Sequence, residues 1–136
     1  HIFFNDQWHG FDDGHYSAFR LLEIMKNLNE SLSSLFNKLP KAYSTPELNI
    51  NVDEKMKFKI IENFVNKSQF QEGSKVTIDG LRVDFNDGWG LIRASNTTPK
   101  LVLRFEANTP SRLKEIKNMF LNQLKLIDET IQIDIS

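Results

Sequence analysis

Leu81-Arg82-Val83-Asp84-Phe85-Asn86-Asp87-Gly88-Trp89-Gly90-Leu91-Ile92-Arg93-Ala94 is the stretch that decides the fold. Leu81, Val83 and Phe85 alternate with polar residues, which is the period of a half-buried strand. Asn86-Asp87-Gly88 is a hairpin signal, and Trp89 to Ala94 reads as the return strand. After a polar break, Leu101, Leu103 and Phe105 mark a further strand, opposed by Val102 and Arg104. Consecutive strands joined by tight turns make an antiparallel sheet. Thr109 caps a final helix with Pro110 at its first position, and Leu113, Ile116, Phe120, Leu124 and Ile127 form its apolar stripe. Upstream, Val76 and Ile78 alternate before an Asp79-Gly80 turn, and Gln71-Glu72-Gly73-Ser74 is another turn. Phe58, Ile61, Phe64 and Val65 read as the buried face of a helix capped by Asp53, and Leu48, Ile50 and Val52 as a strand. The order β-α-β-β-β-β-α predicts an α+β domain with two helices covering one face of the sheet.

Residues 1–43 have a different pattern. Ile2 to Phe4 reads as a short strand, and Asp12 or Asp13 caps a helix carrying Tyr16, Phe19, Leu22 and Met25. Leu32, Leu35, Phe36 and Leu39 mark a second helix ending at Pro40. Ser44-Thr45-Pro46 favours extended chain, so 44–47 is read as a hinge and 48–136 as the second domain. Ile131 to Ser136 fits a tail or an edge strand.

The chain has 136 residues and a net charge of −1, which gives no electrostatic reason to expect nucleic acid or an anionic membrane as partner. It has no cysteine, so it has neither a disulfide framework nor a thiolate metal site, and a cytoplasmic location suits it. No apolar run approaches the roughly 20 residues of a membrane span. The start, His1-Ile2-Phe3-Phe4, lacks a signal-peptide pattern and begins inside a strand, which predicts a piece of something longer.

The candidate site is Arg93-Ala94-Ser95-Asn96-Thr97-Thr98-Pro99. Arg93 offers a planar fork of donors that matches phosphate oxygens two at a time. Ser95, Asn96 and Thr97 add hydroxyl, amide and backbone N–H donors, and Pro99 stiffens the exit. On chemistry alone, a solvated loop between strands is the commoner use of such residues. Elsewhere, plain structural readings win. Asp12 and Asp13 serve as a helix cap rather than a metal site. His9 and His15 are surface or turn residues, and Trp89 packs. Arg104 either supports the loop or forms a cross-strand ion pair. Lys55, Lys57 and Lys59 make a solvated helix face.

Asp79 to Pro99, followed by Leu101-Val102-Leu103-Arg104-Phe105-Glu106-Ala107, resembles the C-terminal domain of bacterial phosphomannomutase/phosphoglucomutase, a branch of the α-D-phosphohexomutase superfamily. His1-Ile2-Phe3-Phe4, Trp8, Gly10-Phe11-Asp12-Asp13-Gly14 and Leu21-Leu22-Glu23-Ile24 are similar to the end of that family's third α/β domain, and Ser44-Thr45-Pro46-Glu47 to the join with the fourth. Phosphoglucosamine mutases typically carry Arg-x-Ser-Gly-Thr-Glu-Pro at the loop. Asn96 and Thr98 depart from that pattern and favour the mannose/glucose branch.

The resemblance implies a TATA-binding-protein-like C-terminal domain preceded by a strand-helix-helix remnant of an α/β domain. It implies an isomerase that moves phosphate between O1 and O6 of a hexose through a phosphoserine and a hexose 1,6-bisphosphate, assisted by Mg²⁺. Arg93, Ser95, Asn96 and Thr97 match the loop that holds the non-reacting phosphate. His1 matches the last residue of the sugar-reading motif and is the one candidate near the chemistry. The phosphoserine loop and the metal loop have no counterpart here, so the chain alone is expected to be inactive and to need the missing N-terminal domains as partners. It also predicts that Phe3, Phe4, Phe11, Phe19 and Leu22 leave an apolar patch. Two other functions compete: a stand-alone phosphosugar or anion-binding module, and a nucleic-acid binder, which the charge and the absence of a basic, aromatic sheet face oppose.

Overall fold

Phe85 and Gly88 face each other across the two-residue turn Asn86-Asp87, and the rest of the sheet is built outward from this hairpin. A computed structural model describes residues 1–131. In chain order the elements are α1 (Gly14–Leu28), α2 (Leu32–Asn37), β1 (Tyr43–Ser44), β2 (Leu48–Asn51), α3 (Lys57–Lys67), β3 (Ser74–Val76), β4 (Leu81–Phe85), β5 (Gly88–Ala94), β6 (Lys100–Ala107) and α4 (Pro110–Ile127). All strand pairs are antiparallel, in the order β1-β6-β5-β4-β3 with β2 also on β6. The predicted α+β architecture is present.

The register sorts the side chains. Leu81, Ile92, Leu103 and Leu48 lie in one row across four strands, and all are buried. Val83, Gly90 and Phe105 form the next row, facing the same way. The core beneath them is completed by Ile60, Ile61 and Phe64 of α3 and Ile116, Phe120 and Leu124 of α4. Gly90 lets α4 approach closely, since a Cβ there would lie 2.4 Å from the Phe120 ring. Thr109 caps α4 by accepting the Arg112 N–H, and Pro110 opens the helix, as the sequence predicts.

The hairpin turn is held from outside. Neither Asn86 nor Asp87 takes a positive φ, so this is not the mirror-image turn that commonly links two strands. Instead Asp87 O accepts the Asn108 N–H at 2.9 Å, and Asp87 Oδ1 accepts Arg112 Nε at 2.9 Å.

The segment 44–47 is tied to β6. Five residues from Ser44 to Leu48 oppose four from Glu106 to Leu103, so one extra residue bulges out of the ladder. Thr45 N–H donates to Phe105 O at 3.0 Å, and Thr45 Oγ1 accepts the Phe105 N–H at 3.2 Å. By contacts the chain divides into His1–Pro40 and Lys41–Ser136, so residues 41–47 go with the sheet.

Several local readings are corrected. Ile2–Phe4 is not a strand but supplies one antiparallel bridge, Phe3 with Asp12, because no neighbouring strand extends the pairing. Asp53 does not cap α3. It holds a turn, accepting the Lys55 N–H on its carboxylate and the Met56 and Lys57 N–H groups on its carbonyl, and the helix begins at Lys57 without a side-chain cap. Phe58 is exposed. The buried stripe of α3 is Lys57, Ile60, Ile61 and Phe64, so Lys57 lies inside the apolar phase and not on a solvated face. Ile78 lies beyond β3 and is 93% exposed, because the Asp79-Gly80 turn takes the chain out of the ladder. Of the tail expected at 131–136, residues 132–136 lie outside the described residues.

In the first unit Asp13, rather than Asp12, caps α1 by accepting the Tyr16 N–H at 3.0 Å. Asn29 ends the helix in the left-handed region, with its N–H on Lys26 O and the next on Met25 O. Phe4 packs edge-on against Tyr16, whereas Phe3, Phe11, Phe19 and Leu22 are exposed.

Candidate functional site

Arg93 sits in β5 between the buried residues Ile92 and Ala94, so alternation sends its side chain to the sheet face away from the helices. Across that face it neighbours Val102 of β6, and Asn49 of β2 lies beyond. One guanidinium nitrogen, Nη1, reaches Asp79 Oδ2 at 3.4 Å. This is a long contact to a carboxylate that is itself largely exposed. Gly80 makes it possible. It has a φ of +75°, and a Cβ there would lie 2.2 Å from Ile92 O and 2.7 Å from Arg93 Cα. Only a glycine lets the Asp79 turn lie against the backbone of Arg93.

Ser95 to Pro99 joins β5 to β6, and its ends are closed by the protein itself. Ser95 N–H donates to Lys100 O at 2.9 Å, and Lys100 N–H to Thr98 O at 2.8 Å. Ser95 Oγ accepts both the Thr98 N–H at 3.2 Å and the Thr98 hydroxyl at 2.8 Å. With both acceptor sites filled, the Ser95 hydroxyl proton is left uncommitted. From behind, Val52 N–H donates to Pro99 O at 3.0 Å and Lys57 Nζ to Thr98 O at 3.3 Å.

Asn96 and Thr97 are exposed, and among the described residues neither their side chains nor their backbone N–H groups have a hydrogen-bond partner. The loop is thus internally fixed at Ser95, Thr98 and Lys100 while its tip presents free donors. Arg93 lies two residues before Ser95, on the same side of the strand. A cation beside several unpaired donors on a short braced loop is suited to an anion with several oxygens.

The other candidates are placed elsewhere. Arg82 forks onto Asp84, with Nη2 to Oδ1 at 2.6 Å, and its guanidinium lies 4.1 Å above the Trp89 ring. Trp89 Nε1 donates to Glu106 at 3.4 Å, so this tryptophan packs, as predicted. Arg104 is exposed, and among the described residues it forms no ion pair. His1 is exposed and hydrogen-bonds Asp12, whose other oxygen accepts the Ile2 N–H at 3.3 Å. Asp13 engages Tyr16 and the Trp8 ring N–H. The Tyr16 N–H holds the Asp13 carboxyl below its ordinary range. Asp12 and Asp13 therefore serve different partners, and among the described residues no group of three or more His, Asp or Glu side chains is arranged to hold a metal. These residues do not fit a Mg²⁺ site. No helix is long and apolar enough to cross a membrane among the described residues.

Asp79, Gly80 and Lys57 also meet this site. In the sequence Asp79-Gly80 reads only as a turn, and Lys57 only as part of a solvated helix face.

Comparison with known proteins shows the family of the chain. The family model for the phosphoglucomutase/phosphomannomutase C-terminal domain matches residues 47–123, which span β2 through most of α4. The chain belongs to the phosphoglucomutase/phosphomannomutase family. A phosphomannomutase/phosphoglucomutase of Pseudomonas aeruginosa is 52% identical over 133 residues, covering 98% of this chain and 29% of that protein. A phosphoglucomutase of Neisseria meningitidis is 50% identical over 122 residues, or 88% of this chain and 26% of that protein. The crystal structure of a phosphoglucomutase/phosphomannomutase family protein from Burkholderia thailandensis superposes with a TM-score of 0.84 at 45% identity, covering 97% of this chain and 28% of that one. The chain thus spans under a third of the length of these family members.

Proposed function

We propose that Arg93 and the loop Ser95-Asn96-Thr97 hold the phosphate of a phosphosugar, as the phosphate-anchoring part of a phosphohexomutase. The observation that carries this is a set of donors at Asn96, Thr97 and the Ser95 hydroxyl, unpaired among the described residues, set beside a guanidinium whose one hydrogen bond among those residues is a long contact to Asp79. The reaction is the interconversion of hexose 1-phosphate and hexose 6-phosphate, of mannose or glucose, through a phosphoserine and a hexose 1,6-bisphosphate. Neither the phosphoserine loop nor a group able to hold Mg²⁺ has a counterpart among the described residues.

The loop's contribution follows from the shape of its ligand. A phosphate dianion looks nearly the same from any side, so one ring of donors can grip the phosphate at either end of the sugar. The loop gains little by reading the hexose, because the sugar must reverse between the two half-reactions. Arg93 supplies the charge-assisted bonds, each worth roughly 1.5–3 kcal/mol. Asp79 competes for the same guanidinium when no anion is bound and releases it when one arrives. His1, in the other unit, is the residue proposed to orient a sugar hydroxyl or carry a proton. We propose 40–42, rather than the expected 44–47, as the pivot between the units; the bonds of Tyr43 to Thr45 with β6 support this.

The test is a titration of the 136-residue chain with glucose 1-phosphate, following backbone amides by NMR, with glucose and Arg93→Ala as controls. Shifts at Arg93 to Thr98 that vanish in the variant and are absent with glucose support the reading. No shift at millimolar ligand, or an unchanged response in the variant, rejects it.

A further inference from the structure

We infer that Lys57 is a positioning residue for the anion loop: a buried ammonium that fixes Thr98 from inside the protein and places a positive charge behind the phosphate. This rests on the phosphate-binding reading of the loop. Lys57 is 1% exposed, in phase with Ile60, Ile61 and Phe64 on the buried stripe of α3. Its amine lies 2.7 Å from Glu54 Oε1 and 3.3 Å from Thr98 O. Packing alone calls for an apolar side chain at this position, because enclosing an ammonium is costly until its partners compensate. Glu54 is a weak compensator, being 61% exposed and so well screened by water. Besides Glu54, the amine meets Thr98 O of the loop and lies 5.1 Å from the centre of the Phe58 ring, itself largely exposed, so its hydrogen-bond partner inside the protein is the loop.

The arrangement suits an anion site in two ways. Thr98 O accepts from Lys57 and Lys100, and Pro99 O accepts from Val52. Both carbonyl oxygens, which would repel a dianion, are thereby held by protein donors while the N–H groups of Asn96 and Thr97 stay free. The enclosed charge also acts on the bound anion through a medium less screening than water.

Three single variants of the 136-residue chain and the double variant Lys57→Met with Glu54→Gln separate the possibilities, with inorganic phosphate as the probe, amide shifts at Ser95 to Thr98 as the readout and thermal midpoints recorded alongside. Lys57→Met removes the charge at similar length. It is expected to weaken phosphate binding about tenfold without lowering the midpoint. Glu54→Gln removes the countercharge from the surface. It is expected to tighten binding about twofold or more, and to do so only when Lys57 is present. Arg93→Ala controls for the loop itself. A structural lysine would move the midpoint and leave both affinities alone. If Lys57→Met fails to fold, Glu54→Gln decides: tighter binding supports the inference, and unchanged binding overturns it. Wild-type affinity in both Lys57→Met and Glu54→Gln, with loss in Arg93→Ala, overturns the role of Lys57 and leaves the phosphate reading standing. Absence of any phosphate response in the wild-type chain overturns both.

Discussion

Gly80 is where a single side chain decides whether the site can form. Its φ of +75° is in the left-handed region, and a methyl group there would meet the carbonyl oxygen of Ile92 and the Cα of Arg93, backbone atoms that cannot swing aside. Gly80→Ala is therefore expected to destabilise the second unit by about 1–3 kcal/mol and to shift the amides of Ile92 to Ala94. A urea midpoint and an amide spectrum check it, and an unshifted Arg93 would mean that the turn is not braced on β5. Arg93→Lys tests the fork geometry. The charge survives but the paired donors do not, so phosphate affinity is expected to fall about tenfold in the NMR titration. At this scale the residue types are readable. Arg93 near the end of β5 and Ser95, Asn96 and Thr97 on the loop after it are donor residues whatever the loop holds. Lys57 was not readable, because a lysine between Lys55 and Lys59 looks solvated until α3 is known to start at position 57 and its phase is fixed.

Among the elements, the edge of the sheet depends on one hydroxyl. Thr45 Oγ1 takes the Phe105 N–H where the bulge has removed the ladder partner. Thr45→Val keeps the shape and leaves that half-buried donor unpaired, so a loss of about 1 kcal/mol is expected, with Thr45→Ser retaining most of the stability. Denaturant curves of the two variants decide it, and equal midpoints would reject the role of the hydroxyl. The α1–α2 pair has a different dependence, on acid. Asp13, bonded to the Tyr16 N–H, and Glu30, bonded to Lys38 and Ser34, both have carboxyls held below their ordinary values. A depressed folded-state value stabilises the fold above the ordinary carboxylate range and loses that support as pH falls through it. Helical signal from Gly14 to Asn37 is expected to decline between about pH 5 and pH 3. Asp13→Asn, which keeps the cap without a titrating group, should flatten the decline. The strands of the hairpin and the capped start of α4 were legible because local pattern, turn residues and burial all agree there. The strand at Ile2–Phe4 and the cap at Asp53 were not, since each depends on a neighbour that pairs or fails to pair only in three dimensions.

For the molecule as a whole, burial is divided unequally. The sheet and its two helices share a core in which Phe64, Phe105 and Phe120 are fully enclosed. In the first unit neither α1 nor α2 has a buried residue, and Phe19 and Phe36 are 68% and 70% exposed. Isolated helices of this length are marginal in water without an apolar face to cover, so α1 and α2 draw their stability from little more than their caps and the Phe4–Tyr16–Trp8 ring cluster. Two consequences follow for the chain in dilute solution. Amide protons of α1 are expected to exchange orders of magnitude faster than those of β5 and β6, because they open without unfolding the sheet. An apolar surface of this kind is also a site of association, so the protection of α1, and not that of β5, is expected to rise with protein concentration. Hydrogen exchange at two concentrations measures both. Equal protection of α1 and β5 at low concentration would mean that the first unit is stabilised by something other than burial, and would remove the argument that it needs more of its family's fold around it.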